Sequence, residues 1–460
     1  MKQNSSSLAG LRRLLYDHYA LLSILVGSAL FTFVSGPYYN SDSSLEFQAA
    51  TSVIKTGMPY MQTGYLINQP PLGFYLDSIY FRIVGLTFNK GADFITFFGL
   101  GCVLLVYMIG KAWYGKVAGL FAAAIFALTP WQLIFSRTFL IDAQCLFFSL
   151  LSLLISVYAI KHDSVKVFMV SAIVFTLAFA TKLYAVFTFV PIVLFYFRYR
   201  KRCLKRPGVV FAFFVPLVIY ISTWYQLISR GSVLNLFSHD DFAYFNPSGA
   251  LPSPFFVAIF LWTTLGGFLL VATVLSVIVS MGERQIFKNS LPLDLICLAT
   301  VVVVAGVDTF MGVVLNYQVP FTAAVKYNYQ LVPFVCLLGA SLLTKTRTLF
   351  GAVEKKLALA RTFFIVSALG LFLFFAAFFE GFLGVSLYSH SGYFVFWSQR
   401  FVAGYSFRSA TPLAPASFLT YVQYFGFAVL LSGLILAALE NTQLKLAIKK
   451  GGNRLVHLFS

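Results

Sequence analysis

Charge is scarce in this chain. Lys, Arg, Asp and Glu together make up 10% of its 460 residues, well under the ~25% of ordinary soluble domains. Combined with 59% hydrophobic residues and a mean hydropathy of +0.84, that shortage excludes a disordered chain and an ordinary soluble enzyme. Cysteine is sparse too. Cys102, Cys145, Cys203, Cys297 and Cys336 show no CxxC spacing, so neither a disulfide framework nor a zinc site is expected, and they read as packing residues. The five His (His18, His162, His239, His390, His457) are scattered at spacings that form no metal cluster. No Walker A, HExxH or GxSxG sequence is present, which takes support from ATP-driven transport and metalloprotease readings.

What the chain does have is apolar blocks long enough to cross a ~30 Å hydrocarbon core as helices. Candidate spans lie near 19–36, 93–110, 117–136, 141–160, 167–181, 183–197, 208–226, 255–280, 293–313, 329–344, 362–380 and 417–439. The expected fold is therefore an all-α polytopic integral membrane protein with about twelve spans. A net charge of +18 would suggest nucleic acid in a soluble chain. Here the basic clusters, Arg12-Arg13, Arg198 through Arg206 and Lys449-Lys450 among them, flank apolar blocks, as in cytoplasmic loops. The layout puts both termini in the cytoplasm and nine of the 33 Lys and Arg residues outside. No nucleic-acid partner is expected. The first span reads as a retained signal-anchor.

Two segments decide the register. Residues 70–87 are apolar, but Asp77 and Arg82 fit an interfacial helix better than a span. The stretch 167–197 is interrupted only by Lys182 and has basic segments at both ends, which predicts a hairpin with Lys182 at its external tip. The whole chain reads as one transmembrane module without a separate soluble domain. Its longer extracytoplasmic loops are 37–92, with juxtamembrane helices, 227–254 and 381–416.

Few residues in this frame can carry chemistry. Ser43 and Glu46 have the spacing of a helix capping box, so a structural role for Glu46 competes with a functional one. Asp42 is not needed by that cap. It precedes a helix start beside the membrane surface, where a carboxylate stays ionised and can accept a proton. Arg137 and Asp142 are isolated charges between apolar runs, marking either a site or a local ion pair. Lys182 is either a snorkelling cation or an anion-binding point charge. With no acid nearby in sequence, it is not expected to pair with a carboxylate.

In order along the chain stand Asp42, Gly57-Met58-Pro59, Gln69-Pro70-Pro71-Leu72, Pro130 with Ser136-Arg137 and Asp142, Thr181-Lys182, and Lys326-Tyr327-Asn328-Tyr329-Gln330-Leu331-Val332-Pro333. This series resembles the C-type (GT-C) glycosyltransferase superfamily. It is most similar to the dolichyl-phosphate-mannose protein mannosyltransferases and lipid A aminoarabinose transferases, glycosyltransferase family 39. Ser43 stands where that group commonly has a second acid, and Gln69 where it has His or Lys.

The resemblance implies a GT-C-like membrane enzyme with interfacial helices in its first extracytoplasmic loop. It would move a sugar from a polyprenyl-phosphate donor to a hydroxyl of a protein, lipid or glycan, with inversion. Asp42 would be the catalytic base. Asp142, Arg137, Gln69 and Glu46 would position the acceptor or the loop, and Lys182, Lys326 and Tyr329 would bind the donor phosphate. No cofactor is required by this reading, and a divalent cation stays open. A prokaryotic plasma membrane is the expected location, with the active site extracytoplasmic. The competing class is a multi-pass transporter or a lipid-linked oligosaccharide flippase, which predicts charges buried mid-span. A glycosidase would need two carboxylates facing across a sugar.

Overall fold

A computed structural model describes residues 3–34, 37–39, 41–64, 66–67, 69–229, 293–313, 329–350 and 406–407. The expected spans at 255–280, 362–380 and 417–439, the loop 381–416 apart from residues 406–407, and Lys326 lie outside the described residues. So does nearly all of the loop at 227–254.

The chain is helical over most of this length. Helix α1 (Gln3–Val34) leads through a short strand, β1 (Tyr38–Tyr39), into α2 (Ser41–Thr56) and α3 (Leu72–Val84). Next come α4 (Phe88–Tyr114), α5 (Lys116–Leu128), α6 (Pro130–Arg137), α7 (Asp142–His162) and α8 (Val165–Thr181). A 3-10 turn (Leu183–Thr188) precedes α9 (Phe189–Tyr199) and α10 (Pro207–Ser229). Beyond these are α11 (Leu293–Val313), a 3-10 turn (Tyr329–Leu331), α12 (Val332–Phe350) and β2 (Ser406–Phe407). Strand β1 pairs antiparallel with β2, Tyr38 opposite Phe407.

Three described helices are long and apolar enough to cross a membrane: Phe88–Tyr114, Asp142–His162 and Pro207–Trp224. Shorter apolar helices cover His18–Phe33, Lys116–Ala127, Val165–Thr181, Leu183–Tyr199, Leu293–Val304 and Tyr329–Ser341. These coincide with the described part of the sequence-based layout, with one difference. The expected span 117–136 is two helices, broken at Thr129. Thr129 is extended (φ −65°, ψ 135°) because the following Pro130 disfavours helical geometry at the residue before it.

Helix starts and stops follow local chemistry. The Thr87 side chain accepts from the Lys90 N–H at the head of α4, and Ser164 does the same for Val167 at α8. Helix α4 turns into α5 through Gly115 alone, at φ 95°, a conformation that glycine reaches without strain. The two helices then run so close that a Cβ on Gly119 would lie 2.7 Å from the Lys111 nitrogen and the Tyr107 carbonyl oxygen.

The main core joins α1 and the helices from α4 to α12 through residues such as Val106, Phe126, Leu150, Phe175 and Leu337. A second core sits under α2 and α3. There Ala49, Ala50 and Val53 meet Phe74, Phe81, Ile95, Phe139 and Ile141. Its location explains why α2 and α3 form: each has one apolar face, and the segment 139–143 at the head of α7 gives both faces the same partner.

Candidate active site

The sequence places its acids and its lysine far apart; the second core brings them together. Asp42 lies in the first turn of α2 and is half-buried. Glu46 follows one helical turn later, hence on the same face, and is 4% exposed. Its Oε2 accepts a 2.8 Å hydrogen bond from the Ile141 backbone N–H, ahead of the first residue of α7. Asp142 begins α7 and is buried.

Lys182 terminates α8 in an extended conformation (φ −157°, ψ 142°). The predicted interruption of 167–197 is therefore at the predicted residue. Its surroundings differ from expectation. The side chain is 1% exposed rather than at a solvated tip, and it pairs with acids after all. Nζ lies 2.6 Å from Asp142 Oδ2 and 3.8 Å from Glu46 Oε1. Burial by itself would depress the ammonium, but the charges of Asp142, Glu46 and Asp42 outweigh it and hold Lys182 above the ordinary lysine range. Asp42 thus belongs to the same electrostatic cluster. The acids come from one helix and the head of another, separated by nearly a hundred residues of chain, so local sequence carries no sign of the pairing.

Glu46 has partners beyond its own helix. Helix α2 begins at Ser41, so Ser43 is inside it, and the Glu46 carboxylate reaches across to α7 and Lys182. Arg137 does not pair with Asp142. Its NH1 lies 2.5 Å from Asp93 Oδ1, and its guanidinium stands over the Phe33 ring at 5.7 Å. Asp93 is a residue that sequence reasoning passed over; a lone acid near the head of an apolar run was the available signal.

Tyr329 is buried and close enough to Asp142 to feel its charge. Its hydroxyl donates to Gln132 Oε1 at 2.5 Å, while Gln132 donates to the Gly99 carbonyl and to Ser136. The neighbouring Gln330 donates to Cys145 Sγ at 3.6 Å, in the first turn of α7. Gln69 is half-buried ahead of Pro70-Pro71. Lys326 lies outside the described residues. Among the described residues no group of three or more His, Cys, Asp and Glu is arranged to hold a metal ion.

The charge balance restricts what the cluster can do. With Asp42, Glu46 and Asp142 around Lys182, carboxylates outnumber the cation, and the half-buried Asp42 is the member nearest the surface. Such a group can take a proton from a bound hydroxyl.

The fold is similar to that of proteins of known structure. ArnT from Cupriavidus metallidurans, solved in the apo state, superposes with a TM-score of 0.58 and 15% identity, over 94% of this chain and 72% of that one. ArnT bound to undecaprenyl phosphate gives a TM-score of 0.57 and 13% identity, over 93% and 72%. Residues 68–225 match the family model for dolichyl-phosphate-mannose-protein mannosyltransferase. The resemblance read from the sequence motifs therefore holds in both fold and family match. Among curated proteins, "Putative mannosyltransferase YkcB" of Bacillus subtilis is 25% identical over 225 residues, 45% of this chain and 30% of that protein. "Putative mannosyltransferase YycA" of the same organism is 29% identical over 141 residues, 30% of this chain and 21% of its own length. The matches thus span under a third of these relatives.

Proposed function

We propose that the chain is a membrane glycosyltransferase that moves a sugar from a polyprenyl-phosphate donor to an acceptor hydroxyl at the extracytoplasmic face, with inversion. The observation that carries this reading is the convergence of Asp42, Glu46 and Asp142 on one buried ammonium, Lys182. The family match over 68–225 and the fold shared with a protein solved with undecaprenyl phosphate support it.

The donor's prenyl chain stays in the bilayer while its phosphate and sugar enter the space beside α2 and α3, which lie along the membrane surface. The acceptor hydroxyl is held in line with the anomeric carbon, which removes much of the entropic barrier. Its oxygen forms the new bond to that carbon as the bond to the phosphate oxygen breaks. Asp42 takes the hydroxyl proton as general base, and the electron pair leaves on the polyprenyl phosphate. Lys182 is assigned first to the carboxylates. By neutralising charge on Asp142 and Glu46 it lowers the repulsion that an incoming or leaving phosphate meets. Lys326 and Tyr329 are assigned to the phosphate side, Gln69 and Glu46 to the acceptor side. Arg137, engaged with Asp93, orients the head of α4 against α6.

A transporter would hold charges at mid-span. In the described residues the paired charges instead gather at element ends: Asp93 near the head of α4, Asp142 at the first residue of α7, Lys182 just past the end of α8. That distribution favours a site open to one surface.

The test is incubation of the purified protein with a panel of radiolabelled polyprenyl-phosphate sugars and hydroxyl-bearing acceptors. Label is expected to leave the lipid for an acceptor with the wild-type chain and to stay on it with Asp42→Asn. Label that stays on the lipid with every donor and acceptor pair would overturn the reading.

A further inference from the structure

One buried acid stands beside this cluster and has no part in the chemistry above. Asp77, in the middle of α3, is 1% exposed. Its Oδ1 accepts a 2.6 Å hydrogen bond from Gln144 Nε2, in the first turn of α7. Two atoms of this pair are left over. Asp77 Oδ2 and Gln144 Oε1 are both buried, and no donor among the described residues reaches either. Both are acceptors when the carboxyl is ionised, and a buried acceptor without a donor is costly. A single proton on Asp77 Oδ2, donated to Gln144 Oε1, would satisfy both atoms at once.

The backbone around the pair is shaped for the amide. Gly73 precedes Asp77 by one helical turn on the same face of α3. A Cβ there would lie 2.9 Å from Gln144 Oε1 and 2.5 Å from Ile141 Cγ2. The carboxamide oxygen therefore rests against the one residue of α3 that leaves it room.

We propose that Asp77 is held as a neutral carboxylic acid, joined to the Gln144 carboxamide by two reciprocal hydrogen bonds, and that this pair positions the head of α7. The first turn of α7 is then fixed from two sides. Ile141 is tied to Glu46 on α2, Gln144 is tied to Asp77 on α3, and Asp142 stands between them with its carboxylate on Lys182. Asp77 is a positioning residue and touches no reacting atom. The positioning role rests on the transferase reading; the protonation state does not.

The titratable groups at this end of the elements packed on α3 are Asp42 and Glu46 on α2, Lys90 and Asp93 on α4, Asp142 on α7 and Lys182 at the end of α8. Lys182 is engaged by Asp142 and Glu46, Asp93 by Arg137, and Lys90 by the Val84 carbonyl at the far end of α3. Burial holds the Asp77 carboxyl well above the usual 3.8; the Gln144 hydrogen bond opposes it and repulsion from the Glu46 carboxylate adds to it. A carboxyl with a raised folded pKa gives its full stability contribution below the unfolded value and loses it as pH climbs toward the folded one.

Asp77→Asn and Asp77→Val separate the proposal from its alternatives, using the full chain in detergent or nanodiscs. Asparagine keeps both reciprocal bonds without a proton. It is expected to retain sugar transfer within about threefold, while valine, which strands the Gln144 amide, loses about tenfold or more. The melting temperature of Asp77→Asn is expected to gain on wild type steadily as pH rises above 3.8. Infrared spectra at neutral pH should contain a protonated-carboxyl C=O band in wild type that Asp77→Asn removes. An ionised Asp77 predicts the reverse: no such band, and a melting temperature of Asp77→Asn that does not gain on wild type as pH rises above 3.8. Either of those results overturns the proposal. The band and the melting curves need no substrate, so failure to detect sugar transfer counts against the proposed activity alone.

Discussion

The Lys182 ammonium lies 2.6 Å from the Asp142 carboxylate, with both side chains almost wholly removed from solvent. These residues come from the end of one helix and the start of another, and their union fixes how α8 terminates over the head of α7. A charge pair in such a place is held together as much by the cost of leaving either member alone as by mutual attraction.

Removing Lys182 alone should therefore be worse than removing it together with Asp142. Lys182→Met is expected to destabilise the protein by about 3 kcal/mol, and Asp142→Asn by less. In Asp142→Asn the remaining Glu46 carboxylate, at 3.8 Å, offsets part of the loss. The double variant Asp142→Asn with Lys182→Met should recover stability relative to Lys182→Met alone. Thermal unfolding of the four proteins as a double-mutant cycle measures the coupling; strictly additive losses would contradict the pairing.

Asp42→Asn separates chemistry from architecture. Loss of a general base is expected to slow sugar transfer by about 10²–10⁴-fold. The half-buried position of Asp42 leaves the second core untouched, so melting temperature and binding of polyprenyl phosphate should match wild type. Near-normal turnover would remove Asp42 from its assigned role.

The α4–α5 hairpin offers a test of packing away from the site. A methyl group on Gly119 would press on the Lys111 nitrogen and the Tyr107 carbonyl oxygen, both at 2.7 Å. Backbone atoms cannot rotate aside, so Gly119→Ala is expected to destabilise by about 1–3 kcal/mol, the range for overpacking. Gly208→Ala, with nothing within 4 Å of the new carbon, is the matched control and should melt like wild type.

Asp163 ends α7 in the left-handed conformation, φ 54°, and its carboxylate accepts from the Cys203 and Leu204 backbone N–H groups at 3.0 and 3.1 Å. The Cys203 hydrogen bond, opposed by some desolvation and aided by Leu204, holds this carboxyl below the usual 3.8. Its stabilising contribution is thus present above that value and lost as pH falls through the lower folded one. Asp163→Ala should raise hydrogen–deuterium exchange of residues 201–206 at neutral pH. Asp163→Asn, which tolerates the left-handed backbone and keeps an acceptor, should raise it less and remove the acid-side pH dependence.

Much of the architecture was legible because it is written in composition and periodicity. Apolar blocks marked the described apolar helices within a few residues, and the lone Lys182 marked where 167–197 breaks. The ordered motif pieces pointed to the family whose model matches residues 68–225. What escaped was partner choice. Nothing local in the sequence ties Lys182 to Glu46 and Asp142, Arg137 to Asp93, or Tyr329 to Gln132. Each pair joins elements that meet only through tertiary packing. For Glu46 the local capping-box spacing was visible, while the distant Ile141 N–H was not. The break at Thr129 was legible in Pro130 and was passed over for the apolar run around it.

The Lys182 pair also bears on how the protein is made. Translation runs from the N-terminus, so Glu46 and Asp142 leave the ribosome well before Lys182 exists. During that interval the head of α7 carries an acid whose only described countercharge has not yet been synthesised. Nascent chains arrested just short of codon 182 should accordingly be marked for membrane quality control, and those extended a helix further should escape it.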